Sequence, residues 1–273
     1  MGQPTVVEPP RRWPGFGLAE FWQLRRICLV LARRSLMVRY RQTVIGASWS
    51  LLQPILLMIA FSVFFGLLAR MPTGGLSFPV FFFIGLVPMQ MASKILTEGS
   101  TSVIANAGLL TRVYFPRAYF PTAVALAALV DLALAFGAMA ILLLWSNIVP
   151  GSNVVFVPIL IAIGWISALG VAYWLSALNV AYRDVTQLLP FLAQLWMFTS
   201  PVIYSSTLVP ESFRPIYFVN PMALVIEGFR WSIAGGAPPP PYAWAIGIAV
   251  AALILGSGYL FFRRREPGFA DVV

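Results

Sequence analysis

The chain has no histidine, one cysteine and one lysine in 273 residues. Without histidine there is no imidazole to act as acid, base or metal ligand. A single thiol, Cys28, cannot close an internal disulfide and reads as an ordinary packed side chain. The lone lysine, Lys94, sits in ASKIL with no glycine-rich turn before it, which excludes a nucleotide-binding P-loop. Any process driven by ATP would need a second protein. Charged residues make up 10% of the chain, and its acids (Glu8, Glu20, Glu98, Asp131, Asp184, Glu211, Glu227, Glu266 and Asp271) are scattered. A membrane transferase would instead gather acids or a nucleophile near one membrane face.

What is present is apolar. The chain is 60% hydrophobic, with mean hydropathy +0.85 and a net charge of +9. About 20 apolar residues cross a hydrocarbon core of about 30 Å. Six stretches qualify: residues 45–69, 77–98, 119–146, 154–180, 186–205 and 242–262. The expected fold is therefore an all-α integral membrane protein with six transmembrane helices. No secretory leader is expected before the first span, because residues 1–17 are polar and Pro-rich.

Charge assigns the sides. Eight of the 18 basic residues (Arg11, Arg12, Arg25, Arg26, Arg33, Arg34, Arg39 and Arg41) precede the first span, and Arg263, Arg264 and Arg265 follow the last. With Arg112, Arg117 and Arg183, 14 fall on one side under six crossings, against Arg70, Arg214 and Arg230 on the other. The positive-inside rule then puts both termini in the cytoplasm. Arginines flanking apolar spans answer to orientation and anionic headgroups, so the basic balance does not point to nucleic acid.

Residues 1–44 form the expected cytoplasmic N-terminal segment, and 45–273 the transmembrane domain. Within the first, Phe21, Leu24, Cys28, Leu31, Ser35 and Val38 share one helical face, while Arg26, Arg33, Arg34 and Arg41 gather on another. That pattern is a basic amphipathic helix in the headgroup plane, with Trp13 and Trp22 suited to the interface. It could be a plain anchor or a transmitter of force. Pro54 predicts a kink or local rearrangement in the first span. The loop 99–118 carries a candidate short helix, Ile104–Tyr114, stopped by Pro116. Its Leu109, Leu110, Val113, Tyr114 and Phe115 are too apolar for a solvated turn and predict a partner surface. Residues 206–233 are too polar and Pro-broken to span and read as a re-entrant helical pair before the last span. The PPPP run at 238–241 is a stiff connector.

Two observations bear on transport. Ion-coupled carriers place ionisable groups within their spans. Here Asp131 alone is clearly mid-span, Lys94 and Glu98 read as an i,i+4 pair, and there is no internal repeat. Asp131 reads either as a site or as a carboxyl bonded to a neighbouring helix. The second observation is a pair of stripes. Gln187, Phe191, Gln194, Phe198 and Pro201 share a face of the fifth span; Ser50, Gln53, Leu57, Phe61 and Phe64 share one of the first. Glutamine in a membrane needs a hydrogen-bond partner or water. Rings alternating with amides would suit sugars, but helix packing gives the same pattern, and spacing alone leaves both open.

Several strings in a fixed order carry a resemblance: VRYRQTVIGASWSLLQPILLM (38–58), FFIGLVPMQ (82–90), NAGLLTRVYFPRAYFP (106–121), LNVAYRDV (178–185), SPVIY (200–204), VNPMALVIEGFR (219–230) and the tail REPGFADVV. From about residue 33 onward the chain resembles the membrane subunit of type-2 ABC exporters. The matching branch exports O-antigen, capsule, teichoic acid and related cell-envelope glycans. The resemblance implies a homodimeric channel in the cytoplasmic (inner) membrane, bound to two copies of a separate ATPase. That partner would hold ATP and Mg, and this chain no cofactor or metal. It implies a lipid-linked polysaccharide path lined by Gln53, Phe61, Phe64, Gln187, Phe191, Gln194, Phe198 and Tyr204. Asn106, Leu109, Leu110, Arg112, Val113 and Tyr114 would form the coupling helix on the ATPase. Asp131 departs from the family's usual uncharged residue. The alternatives are an exporter of lipids or drugs with the same fold, a secondary carrier, and a membrane glycosyltransferase.

Overall fold

In the computed structural model, residues 25–41, 48–110 and 116–269 are described, excluding the side chains of 25, 38–41, 48–50, 109 and 110. Trp13, Phe21, Trp22, Leu24, Arg112, Val113, Tyr114 and Phe115, and the side chains of Val38, Arg41, Ser50, Leu109 and Leu110, lie outside that description. The described residues form helices joined by turns and short irregular segments, with no strand among them. Five helical segments are long and apolar enough to cross a membrane: Leu51–Leu68, Phe78–Ala105, Tyr119–Trp145, Ser152–Ala181 and Pro241–Gly268.

The amphipathic segment is α1 (Arg25–Arg41). Cys28 and Ala32 are buried against the helix that begins at Tyr119, while Arg26, Arg33 and Arg34 are exposed. Burial pushes the Cys28 thiol up to about 11, which keeps it protonated and inert. Leu29, Val30 and Met37 are also exposed, so α1 offers a second apolar face, as a helix lying in an interface does.

The first span is α2 (Ser48–Phe61), continued by a π-helix from Ser62 to Leu68. Pro54 sits within the α part, and the departure from α geometry comes later. There the Ala69 amide donates to the Phe64 carbonyl at 3.0 Å, five residues back, and the Met71 amide reaches Phe65. The wider turn changes the 100° register from Ser62 onward.

Next come α3 (Phe78–Ala105), α4 (Ala107–Leu110), α5 (Tyr119–Trp145), a 3-10 turn Ser152–Phe156, and α6 (Val157–Ala181). α3 runs seven residues beyond the expected end at 98. The GSTS stretch reads as a turn, yet its hydroxyls bond back into the helix. Ser100 Oγ donates to the Leu96 carbonyl at 2.5 Å and Ser102 Oγ to Gly99 at 2.6 Å. α3 is the central element, packing against α2, α5, α6 and two later helices.

The expected fifth span at 186–205 is only α7 (Val185–Thr199), 15 residues or about 22 Å, short of the hydrocarbon core. Pro201 disfavours α geometry at Ser200, which turns extended at φ −103°, ψ 151°. After two 3-10 turns and α8 (Arg214–Tyr217) comes α9 (Pro221–Ala234), 14 residues and almost wholly buried. α10 (Pro241–Arg265) closes the chain, starting on the last proline of the PPPP run. It crosses α6 where Gly170 and Gly258 face each other, and a Cβ at Gly170 would stand 2.6 Å from the Leu255 amide nitrogen. Small residues at such a crossing let two membrane helices meet backbone to backbone.

Candidate functional site

Among the described helices at membrane depth, α2 and α7 are the least buried, and both lie against α3. Only 6% of the Leu51–Leu68 span is buried, against 78% of the α3 span. On α7, Leu189 is the one buried residue. Gln187, Phe191, Gln194 and Phe198 are all exposed on α7, and Gln53 and Phe64 on α2. Pro201 is buried. Phe61 turns inward: its ring stacks on Phe82 at 4.8 Å and on Phe65 at 5.4 Å. Tyr204 is half-buried at the far end of α7, where its hydroxyl donates to the Phe198 carbonyl at 3.3 Å and accepts from Tyr217 at 3.2 Å. Of the sequence-predicted stripes, the four α7 residues are exposed and Pro201 beyond the helix is buried, while in the α2 set Gln53 and Phe64 are exposed and Phe61 packs inward.

The coupling segment begins at Asn106, which ends α3 and donates from Nδ2 to the Ser102 carbonyl at 2.8 Å. Ile104 and Ala105 belong to α3, and α4 supplies the short helix carrying Leu109 and Leu110. Arg112, Val113 and Tyr114 lie outside the described residues.

Three polar networks brace these elements, and spacing within the sequence gave no sign of any of them. The first holds α9 at one end of α3. Arg230 is 5% exposed and lies over the Phe81 ring at 3.5 Å. Its guanidinium donates to the carbonyls of Val202 (2.9 Å), Phe81 (3.3 Å) and Tyr204 (3.4 Å), and to Glu227 at 3.4 Å. Glu227 accepts from the Ser206 amide at 2.9 Å. Gly85 makes room, since a Cβ there would come within 3.0 Å of Arg230 Nη2. The second is Asn220, which caps α9 through the Met222 amide, accepts from Trp196 Nε1 at 3.0 Å and donates to Ser200 Oγ at 2.9 Å. The third lies at the tail. Glu266 accepts from the Arg117 amide at 2.6 Å and from Arg263 at 2.8 Å, and its carbonyl accepts from the Arg117 guanidinium. Arg230, Glu227, Asn220, Arg117 and Glu266 lie within strings that carried the resemblance, which was the available signal; Phe81, Ser206, Trp196 and Arg263 lie outside them.

One expected pairing is replaced. Lys94 reaches across to Asp131 on α5 at 2.5 Å rather than along α3 to Glu98. The two positions lie at matching depth, about 16 Å from the Ala105 end of α3 and about 18 Å from the Tyr119 end of α5. A strong partner on the facing helix outcompetes a flexible i,i+4 pair, so Asp131 is not an isolated acid.

The family model for ABC-2 type transporters matches residues 26–234. The chain belongs to the ABC-2 type transporter family. Among similar proteins is the O-antigen export system permease protein RfbA of Myxococcus xanthus, 29% identical over 256 residues, covering 93% of this chain and 98% of that one. The RfbA of Klebsiella pneumoniae is 28% identical over 248 residues, covering 90% and 95%. The polysialic acid transport protein KpsM of Escherichia coli is 24% identical over 208 residues, covering 74% and 79%. The family match spans α1 to α9, including the exposed faces of α2 and α7 and the Arg230 network. Among the described residues no group of three potential metal ligands comes together.

Proposed function

We propose that this chain is the channel-forming permease subunit of an ATP-driven exporter that moves a lipid-linked cell-envelope polysaccharide across the cytoplasmic membrane. The observation that carries the reading is near full-length similarity to permeases named for O-antigen export and polysialic acid transport. The exposed faces of α2 and α7 support it physically. A chain acting alone in lipid has no use for Gln187 and Gln194 on an otherwise apolar surface, whereas two copies could enclose them around water and hydroxyls. The functional unit is a homodimer with two copies of a separate ATPase, which supplies the ATP and Mg chemistry. Both termini lie in the cytoplasm, α7 is a short fifth crossing, and residues 206–233, with α8 and α9, form the re-entrant pair before the last span.

A lipid-linked glycan engages at the inner leaflet. Closure of the ATPases moves the Asn106–Tyr114 segment, and the protomers part along α2 and α7. Phe64, Phe191 and Phe198 offer sugar faces repeated weak contacts, and Gln53, Gln187 and Gln194 offer hydrogen bonds. Many weak sites rather than one tight site are what passage requires. α1, with Arg26, Arg33, Arg34 and Arg41, lies along anionic headgroups next to the ATPase.

Purification of the tagged chain from its native host in mild detergent tests the reading. A stoichiometric ATPase partner with ATP turnover, stimulated by the host's lipid-linked glycan, is the expected result. A chain that purifies alone with its genetic neighbourhood intact would contradict it.

A further inference from the structure

Among the described residues, α2 is the one spanning helix that no side-chain hydrogen bond or ion pair joins to another helix. The others are tied. Lys94 and Asp131 join α3 to α5 at 2.5 Å. Asn179 Nδ2 on α6 donates to the Ser100 carbonyl of α3 at 3.1 Å, and Trp165 Nε1 donates to the Ala125 carbonyl of α5 at 2.8 Å. Trp174 Nε1 joins α6 to Ser257 of α10 at 3.2 Å. What holds α2 is apolar packing, which has no preferred direction.

That packing is uneven along its length. Toward the outer end, the Phe61 ring stacks on Phe82 at 4.8 Å and on Phe65 at 5.4 Å. Gly66 lies so close to α3 that a Cβ there would stand 3.0 Å from the Phe78 Cβ. Toward the inner end, Ile55, Leu57 and Met58 rest on the core only partly buried. There Gln53 forms part of the wall of a cavity of about 490 Å³, whose other walls are α3 and α5. The Lys94–Asp131 pair fixes those two walls to each other, which leaves α2 as the wall free to move. With Gln53, Gln90 and Ser93 in its lining, the cavity suits exchangeable water, which a moving helix can displace.

The π-helix Ser62–Leu68 follows the loose part and carries Phe65 and Gly66 of the seated part. A π turn interrupts the α ladder and is a place where a helix changes direction. Ser62 Oγ also donates to the Met58 carbonyl at 2.6 Å, a back-bond of the kind that bends helices. The α part, Ser48–Phe61, is about 20 Å long and about 10 Å wide. Swinging by about 15° about Phe61, it sweeps roughly 500 Å³, a volume like that of the cavity.

We propose that α2 is a lever hinged at its π-helical segment: the inner half swings into the cavity behind Gln53 while Phe61, Phe65 and Gly66 stay seated on α3. That the swing widens an export path rests on the function proposed above; the hinge itself does not.

The test uses the full-length chain in nanodiscs, with any ATPase that purifies with it, read without nucleotide and with ATP. Cys28→Ala removes the sole thiol. Spin labels go on Leu253→Cys of α10 and on either Leu52→Cys or Leu67→Cys of α2, all three exposed positions. Labelled chain is diluted into unlabelled chain so that each pair is read within one protomer. Leu52 lies about 14 Å from Phe61 and moves about 3.5 Å in the swing. The Leu52–Leu253 distance should therefore spread or shift by about that much, while Leu67–Leu253 stays narrow and fixed. Filling the cavity with Ser93→Phe should narrow the Leu52 distribution and leave the Leu67 one unchanged. Two equally narrow, fixed distributions, or two that broaden and shift together, would overturn the hinge, as would a Leu52 spread untouched by Ser93→Phe. A Leu52 spread that ATP does not shift would leave the hinge standing and count against the ATP-driven exporter. Two fixed distributions in a chain whose loss abolishes glycan export would do the reverse.

Discussion

Arg230→Met should be among the most damaging single changes outside the path. The substitution keeps most of the side-chain volume and removes the guanidinium. Three carbonyls, of Phe81, Val202 and Tyr204, lose a donor, and Glu227 loses its cation. Each carbonyl at a buried site costs about 1 kcal/mol or more when stranded. Some find other donors or water on relaxation, and breaking a buried ion pair by removing one partner costs about 3–5 kcal/mol. We take about 4 kcal/mol for the whole change. For a chain of this size that lowers Tm by about 8–16 °C, at about 2–4 °C per kcal/mol. Glu227→Gln should cost much less, about 1–2 kcal/mol, because its amide oxygen can still accept from Ser206. The assay is thermal unfolding of the detergent-purified complex followed by tryptophan fluorescence at a fixed scan rate. Arg230→Met within about 2 °C of the parent, or Glu227→Gln as damaging as Arg230→Met, would refute the reasoning.

Phe191→Ala and Phe198→Ala should each lower export of surface glycan several-fold while the protein assembles normally, because both rings are exposed. Phe61→Ala should also cost about 1–3 kcal/mol of stability, since its ring stacks on Phe82, and comparing export with Tm separates the two cases. Lys94→Met removes the cation paired with Asp131 and should destabilise by about 1–3 kcal/mol, with Asp131→Leu in the same chain restoring much of it; a double variant no better than the single would contradict the pairing. Gly170→Leu should prevent α10 from seating against α6 and abolish recovery of folded protein by size-exclusion chromatography.

The sequence made the apolar spans and the amphipathic helix readable because both are periodic and long. Hydropathy could not tell α7 from a full crossing, since the apolar run continues through SPVIY while the backbone turns at Pro201. It cut α3 short at Glu98, because serine and threonine signal turns in water but bond back to their own helix in a membrane. The π geometry from Ser62 to Leu68 is announced by no local residue type, and the inward turn of Phe61 depends on its contact with Phe82, which spacing does not carry. The Lys94–Asp131, Arg117–Glu266 and Arg230–Val202 contacts join positions far apart in sequence, and periodicity carries no information about such pairs.

The central claim is that this chain carries a glycan outward for an ATPase partner. It is tested most directly by depleting the chain in its native host and measuring lipid-linked glycan on each face of the cytoplasmic membrane. Accumulation at the inner face with loss from the cell surface, reversed by the parent chain but not by a complex whose ATPase cannot turn over, is the predicted result. Unchanged surface glycan with no inner-face accumulation would contradict it.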